Sequence, residues 1–118
     1  MTDKEKLEQL LSEQKFMVLA VTLDDDTPWA VPVRIKLQWA LAFEWESSLD
    51  TVHSKAIATR PEMAITIFDK SPDSQVGFYA RGRAELVEEY KPGYGLYRFV
   101  AEQCWMNDET FVKREINL

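Results

Sequence analysis

From Val76 to Val87 the side chains alternate. Val76, Phe78, Ala80, Gly82, Ala84 and Leu86 are apolar or small, whereas Tyr79, Arg81, Arg83 and Glu85 between them carry polar atoms. A period of two belongs to an extended strand, in which successive Cβ atoms point to opposite faces of a sheet. A strand of this length with one apolar face has to lie in a sheet that covers a core, and that requirement constrains the rest of the chain. At 118 residues with 46% hydrophobic content, residues 1–118 form one domain with one core.

The flanking segments follow the same logic. Leu7, Leu10 and Leu11 recur at helical spacing between Thr2 and Gln14, with Thr2 or Asp3 placed to cap an amphipathic helix. Phe16 to Leu23 is a continuous apolar, β-branched run that predicts a strand covered on both faces, and Asp24 to Pro28 predicts a hairpin turn. A second strand runs from Trp29 to Lys36. Pro32 inside it has no amide proton and marks an edge, a bulge or a strand entry. Trp39 to Trp45 predicts a third strand. Ser48 to Arg60 begins with capping residues and ends before Pro61, as a short crossover helix does. Met63 to Phe68 is a fourth strand, and Asp69 to Ser74 a loop. After Gly93 and Gly95, the spacing of Tyr94, Tyr97, Ala101 and Cys104 predicts a helix up to Trp105, apolar on more than one side. Asn107 and Asp108 then turn the chain into a final strand or extended tail over Thr110 to Asn117. The expected fold is mainly β (α+β): a sheet closing as a barrel, with a crossover helix and helices near both ends.

Charge and composition narrow the function. A net charge of −6 repels nucleic acid and anionic membranes. The opening MTDKEKLEQLL lacks the basic start and apolar stretch of a signal peptide, and no run reaches the ~18 apolar residues of a membrane span, so a cytoplasmic protein is expected. Cys104 and His53 are the sole cysteine and histidine. They allow no intrachain disulfide and no usual four-ligand zinc site, and no metal is expected. Cys104 suits a buried small hydrophobe. There is no dinucleotide fingerprint, Walker loop or nucleophile elbow, so no catalytic side chain is assigned.

Val18 to Leu23, Pro-x-Ala-x-Pro-Val-Arg34, Phe43-Glu-Trp45, Thr51-Val-His53 leading to Pro61, Met63 to Ile67 and Arg81 to Val87 follow one another in an order that covers roughly residues 10 to 90. That order resembles the pyridoxamine 5′-phosphate oxidase-related family of FMN-binding split β-barrels. The resemblance implies a homodimer with FMN in a cleft made by both chains. Val33, Arg34 and Ile35 would run along the flavin ring and ribityl chain, Phe43, Glu44 and Trp45 would flank it, and Thr51 and His53 would receive the phosphate. The basic C-terminal segment that grips pyridoxine phosphate in such oxidases is not evident, so that activity is not implied. A haem-binding or flavin-free relative serving as a binding or regulatory module is the alternative.

Physical chemistry supports the same placement. A helix N-terminus presents unpaired amides and the positive end of its dipole to an anion. Thr51 adds a hydroxyl and His53 a ring N–H, and Lys55 lies one turn after Thr51 on the same face. Arg34, Arg81 and Arg83 offer forked donors suited to phosphate. Each residue also has a plain role: Thr51 as a cap, His53 as a solvent-facing helix residue, Arg81 and Arg83 as a solvated strand face, and the tryptophans as core or interface aromatics, with Trp45 the candidate to stack on a flavin. Asp50, beside the phosphate position, and Glu44, near the ring, bring negative charge that has to be turned away or neutralised. The crossover helix and the many-sided apolar helix after Gly93 are further reasons to expect a homodimer.

Overall fold

A computed structural model describes residues 1–107 and 112–118. Helix α1 spans Asp3–Glu13, and Thr2 caps it with a capping box: its hydroxyl accepts from the Glu5 amide while the Glu5 carboxylate accepts from the Thr2 amide. The strands are β1 (Phe16–Thr22), β2 (Pro28–Arg34), β3 (Leu37–Trp39), β4 (Ala42–Ser48), β5 (Glu62–Phe68), β6 (Gly77–Lys91), β7 (Tyr94–Asn107) and β8 (Arg114–Ile116). Helix α2, Val52–Thr59, crosses from β4 to β5. No helix among the described residues is long and apolar enough to cross a membrane.

Every described strand joins one antiparallel sheet in the order β2-β1-β5-β6-β7-β4-β3, with β8 added to β7. The two edges come together where the chain passes from β2 to β3. There the Ile35 amide bonds to the Lys15 carbonyl and the Lys36 amide to the Glu44 carbonyl, so the sheet curls into a split barrel. Inside lie Met17, Leu19, Phe43, Trp45, Ile65, Ile67, Phe78 and Phe99, with Leu7 and Leu10 of α1 packed against them. Pro32 sits on β2, which among the described residues pairs only with β1, so the missing amide costs no ladder bond to a second neighbour.

Three expectations are corrected. Residues 94–107 form strand β7 and not a helix, so among the described residues no helix lies near the C-terminus. The cause is a bulge: Arg81 pairs with Gln103 but Gly82 with Ala101, which leaves Glu102 as an extra residue. On one side of it Tyr97, Phe99 and Ala101 are buried, and on the other Cys104 and Met106. That phase slip gives the positions 97, 101 and 104 a helical spacing. The expected strand from Trp39 to Trp45 is instead the turn between β3 and β4, with Ala40 in the left-handed region at φ 48°, followed by the first residues of β4. Finally, β1 is covered on one face only. Met17, Leu19 and Val21 enter the core, while Phe16 and Ala20 remain exposed. The expected turn at Asn107-Asp108 and the start of the final strand at Thr110 fall partly outside the described residues.

The bulge depends on one glycine. A Cβ on Gly82 would lie 2.0 Å from the Val100 carbonyl oxygen, which the β6–β7 ladder holds in place. Gly82→Ala is therefore expected to destabilise the protein by roughly 1–3 kcal/mol, the range for overpacking a close-packed site, read as a lower urea midpoint with unchanged slope. Gly93→Ala is the comparison. It meets no atom within 4 Å, although its φ of 82° adds backbone strain of its own.

Candidate functional site: the head of the crossover helix

Thr51 is the N-cap of α2, in extended conformation, and its Oγ1 accepts from the Ser54 amide at 3.1 Å. Short hydrogen bonds continue from it. Thr51 Oγ1 lies 2.6 Å from Ser54 Oγ, which donates to the Ser48 carbonyl at 2.8 Å. His53, only 7% exposed, points its Nε2 back toward β4, 3.0 Å from Ser47 Oγ and 3.3 Å from Thr51 Oγ1. Burial lowers the His53 pKa below its ordinary 6.5, so the ring is neutral at pH 7.

The strand before the helix explains this convergence. Along β4, Phe43 and Trp45 point into the core, and Ser47 continues the same row where the barrel ends. A polar side chain thus stands where the inward-facing row runs out of core, directly against the first turn of α2. Sequence reasoning missed Ser47. Its signal was a serine two residues beyond a buried tryptophan on the same strand face.

Arg34 and Lys36 stand beside Glu46 around a groove of about 280 Å³ on the outer side of the barrel edge. Lys36 pairs with Glu46, and this contact holds the Glu46 carboxyl below its ordinary pKa and the Lys36 ammonium above its own. Arg34 also lies over the Phe16 ring, 5.3 Å from its centre. Lys36 and Glu46 were not expected as site residues.

The remaining candidates separate. Val33 is buried and Ile35 partly buried against the core, so only Arg34 of that trio faces outward. Phe43 and Trp45 are fully buried, and Trp45 stacks on Tyr97 with ring centres 5.6 Å apart. Neither side chain can stack on a ligand outside the barrel, which corrects the expectation for Trp45. Trp45 Nε1 is buried without a hydrogen-bond partner among the described residues. Glu44 bonds to Arg98 at 2.7 Å, and Arg98 lies 5.1 Å from the centre of the Trp39 ring. The Glu44 charge is thereby neutralised within the chain.

Lys55 lines a different groove, with Ser54, Ala84, Glu85 and Leu86 between α2 and β6. Arg83 pairs with Glu62 at 3.1 Å on the outer face. Arg81 bonds to Gln103 and lies 5.5 Å from the centre of the Trp105 ring. It lines a groove floored by Ala20 and Ala64, so the structure does not bring Arg81 or Arg83 to Thr51 within one chain. Asp50 is exposed, and its amide donates to Ser48 Oγ. His53 is buried and not the solvent-facing residue its plain reading supposed.

No protein-family model matches the sequence, and no curated protein matches it. Solved structures are similar in shape. A protein from Clostridium acetobutylicum, related to general stress protein 26 of B. subtilis and assigned to the pyridoxinephosphate oxidase family, is 12% identical, with a TM-score of 0.81 over 100% of this chain and 97% of its own. General stress protein 26 from Bacillus anthracis is 14% identical, with a TM-score of 0.79 over 100% of both chains. A heme binding protein from Mycobacterium smegmatis is 14% identical, with a TM-score of 0.84 over 99% of this chain and 58% of its own. The chain therefore has the pyridoxamine 5′-phosphate oxidase-like split-barrel fold.

The buried imidazole leaves a signature without any ligand. In the unfolded chain His53 titrates at its ordinary 6.5 and in the folded chain lower, so below 6.5 the unfolded state binds more protons. This contribution to stability is full above pH 6.5 and is lost as the pH falls through the folded value. The thermal midpoint is expected to drop between pH 7.5 and about 5.5. In His53→Gln, where nothing titrates at that position, this part of the decline should vanish, leaving only the carboxylate losses at lower pH.

Proposed function

We propose that this protein is a cytoplasmic FMN-binding flavoprotein and acts as a homodimer, with the ligand phosphate held by Ser47, Thr51 and His53 at the head of α2. The convergence of these side chains on one another within 3.3 Å, at a helix N-terminus, carries the reading. A phosphate needs donors. Ser47 O–H and the His53 Nε2–H tautomer supply two, and Thr51 O–H supplies a third by rotating away from Ser54. Binding exchanges hydrogen bonds the chain already makes for stronger ones to an anion.

The residues present fit the phosphate end of FMN. In this reading Arg34 and Lys36, in a groove of their own, serve the polar ribityl chain, with Glu46 as an acceptor for its hydroxyls. For the ring, the inward-facing Phe43 and Trp45 are unsuited, and a second copy of the chain is the natural source of ring contacts. Bound FMN would supply hydride and electron transfer through its ring, while the protein's part is binding and orientation.

The homodimer no longer draws support from a helix after Gly93. It draws support from the outer face of the sheet, where Phe16, Ala20, Trp39 and Val100 are exposed. Uncovered apolar side chains on a small barrel suit a partner surface. An expected dimeric mass at micromolar concentration by light scattering accompanies this reading, and a monomer would remove it.

FMN added to the purified protein is expected to bind with its fluorescence quenched. Ser47→Ala with Thr51→Ala should weaken binding by roughly 1–3 kcal/mol, the range for hydrogen bonds to a charged group, and unchanged affinity would refute the phosphate assignment. The likeness to a haem-binding structure and the single buried imidazole favour haem as the second reading. A Soret band on adding haemin, shifted in His53→Ala, together with no response to FMN, would select it.

A further inference from the structure

Among the described residues, nothing charged balances a proton on His53. Asp50 and Lys55 sit on its own segment, but Asp50 is exposed and Lys55 lines the groove on the β6 side, where Glu85 faces it. On β4, Glu46 is next to Ser47 but is engaged by Lys36, and Glu44 by Arg98. Strand β1, which packs on α2, has no titratable residue. The imidazole is enclosed, its Nε2 meets only the Ser47 and Thr51 hydroxyls, and burial is the sole cause of its lowered pKa.

We propose that phosphate capture here is proton-coupled: His53 is neutral and bonded to Ser47 when the site holds no ligand, and takes up one proton when a phosphate dianion arrives. This rests on the reading of the site as a phosphate site. A dianion within hydrogen-bond reach supplies the opposite charge that the folded chain withholds, and an opposite charge within about 4–6 Å favours the protonated form. The ring then presents a charged N–H donor in place of a neutral one. A lysine or arginine at this position would hold phosphate equally across neutral pH. The enclosed histidine instead makes affinity a function of pH, strengthening retention of a phosphorylated ligand as the pH falls from 8 toward 6.

Isothermal titration of the full chain with FMN tests this between pH 6 and 8, in two phosphate-free buffers of different ionisation heat, with riboflavin as the phosphate-free control. The expected result is net proton uptake near pH 7 and a gain in FMN affinity of about tenfold or more from pH 8 to pH 6, with riboflavin unaffected. FMN protonates its own phosphate near pH ~6, a contribution that persists in His53→Gln and His53→Lys and is subtracted with them. Both variants should lose the additional uptake and keep only the pH dependence of the FMN phosphate itself. Equal proton uptake in wild type and His53→Gln would overturn the proposal and leave the phosphate site standing. No FMN binding at any pH would overturn both.

Discussion

Where Gly82 faces Ala101, the Val100 carbonyl oxygen occupies the space in which any other residue would carry its Cβ. This close approach lets β7 absorb Glu102 as an extra residue without breaking from β6. The consequence runs the length of the barrel. Without the extra residue, strict alternation beyond Ala101 would send Gln103 and Trp105 inward and Cys104 and Met106 outward. With it, Met106 lies beside Phe78 and Cys104 beside Ala80 on the core face, while Arg81 and Gln103 bond on the outside. Strand β7 then serves β6, β4 and β8 at once, so the bulge sets how the two halves of the sheet meet.

The candidate site lies on the far side of that arrangement and depends on it. Strand β4 is held in register by β7 along its whole length, from Ala42 opposite Val100 to Ser48 opposite Tyr94. That register turns Trp45 onto Tyr97 in the core and leaves Ser47 at the rim. The chain then reverses through Leu49 and Asp50 into α2, whose first turn closes on Ser47 through His53. The polar end of the barrel is thus sealed by side chains that hydrogen-bond to one another, and a ligand would have to replace those bonds. Such a closure satisfies buried polar atoms in the free protein. It also keeps the same donors aimed at one point.

Much of this was legible in the sequence because local signals agreed with the fold. Thr2 and Thr51 cap helices where their types predict, Pro61 stops α2, and Pro32 sits on an edge strand. The errors came where a long-range feature overrode a local one. A bulge shared with β6 cannot be seen within residues 94–107 alone, so a slipped period of two passed for a period near 3.6, although the aromatic and β-branched content, Tyr94, Tyr97, Phe99, Val100 and Trp105, belonged to a strand. The β3–β4 turn was hidden because it uses Ala40 with positive φ where glycine or asparagine is usual. Along β1, an unbroken apolar run suggests burial on both faces, whereas a single chain covers only one.

For the site, the residue types were visible but their directions were not. Strand parity alone removes Phe43 and Trp45 from any ligand outside the barrel and adds Ser47, once the inward face is known. His53 shows why this matters. A lysine or arginine at its position would reach a phosphate already charged. Here the chain buries the ring against Ser47 and gives it no carboxylate. At 12–14% identity to the similar structures, the backbone persists while the side chains it carries are this chain's own. The fold therefore places the side chain, but its protonation state is set by this chain's own neighbours.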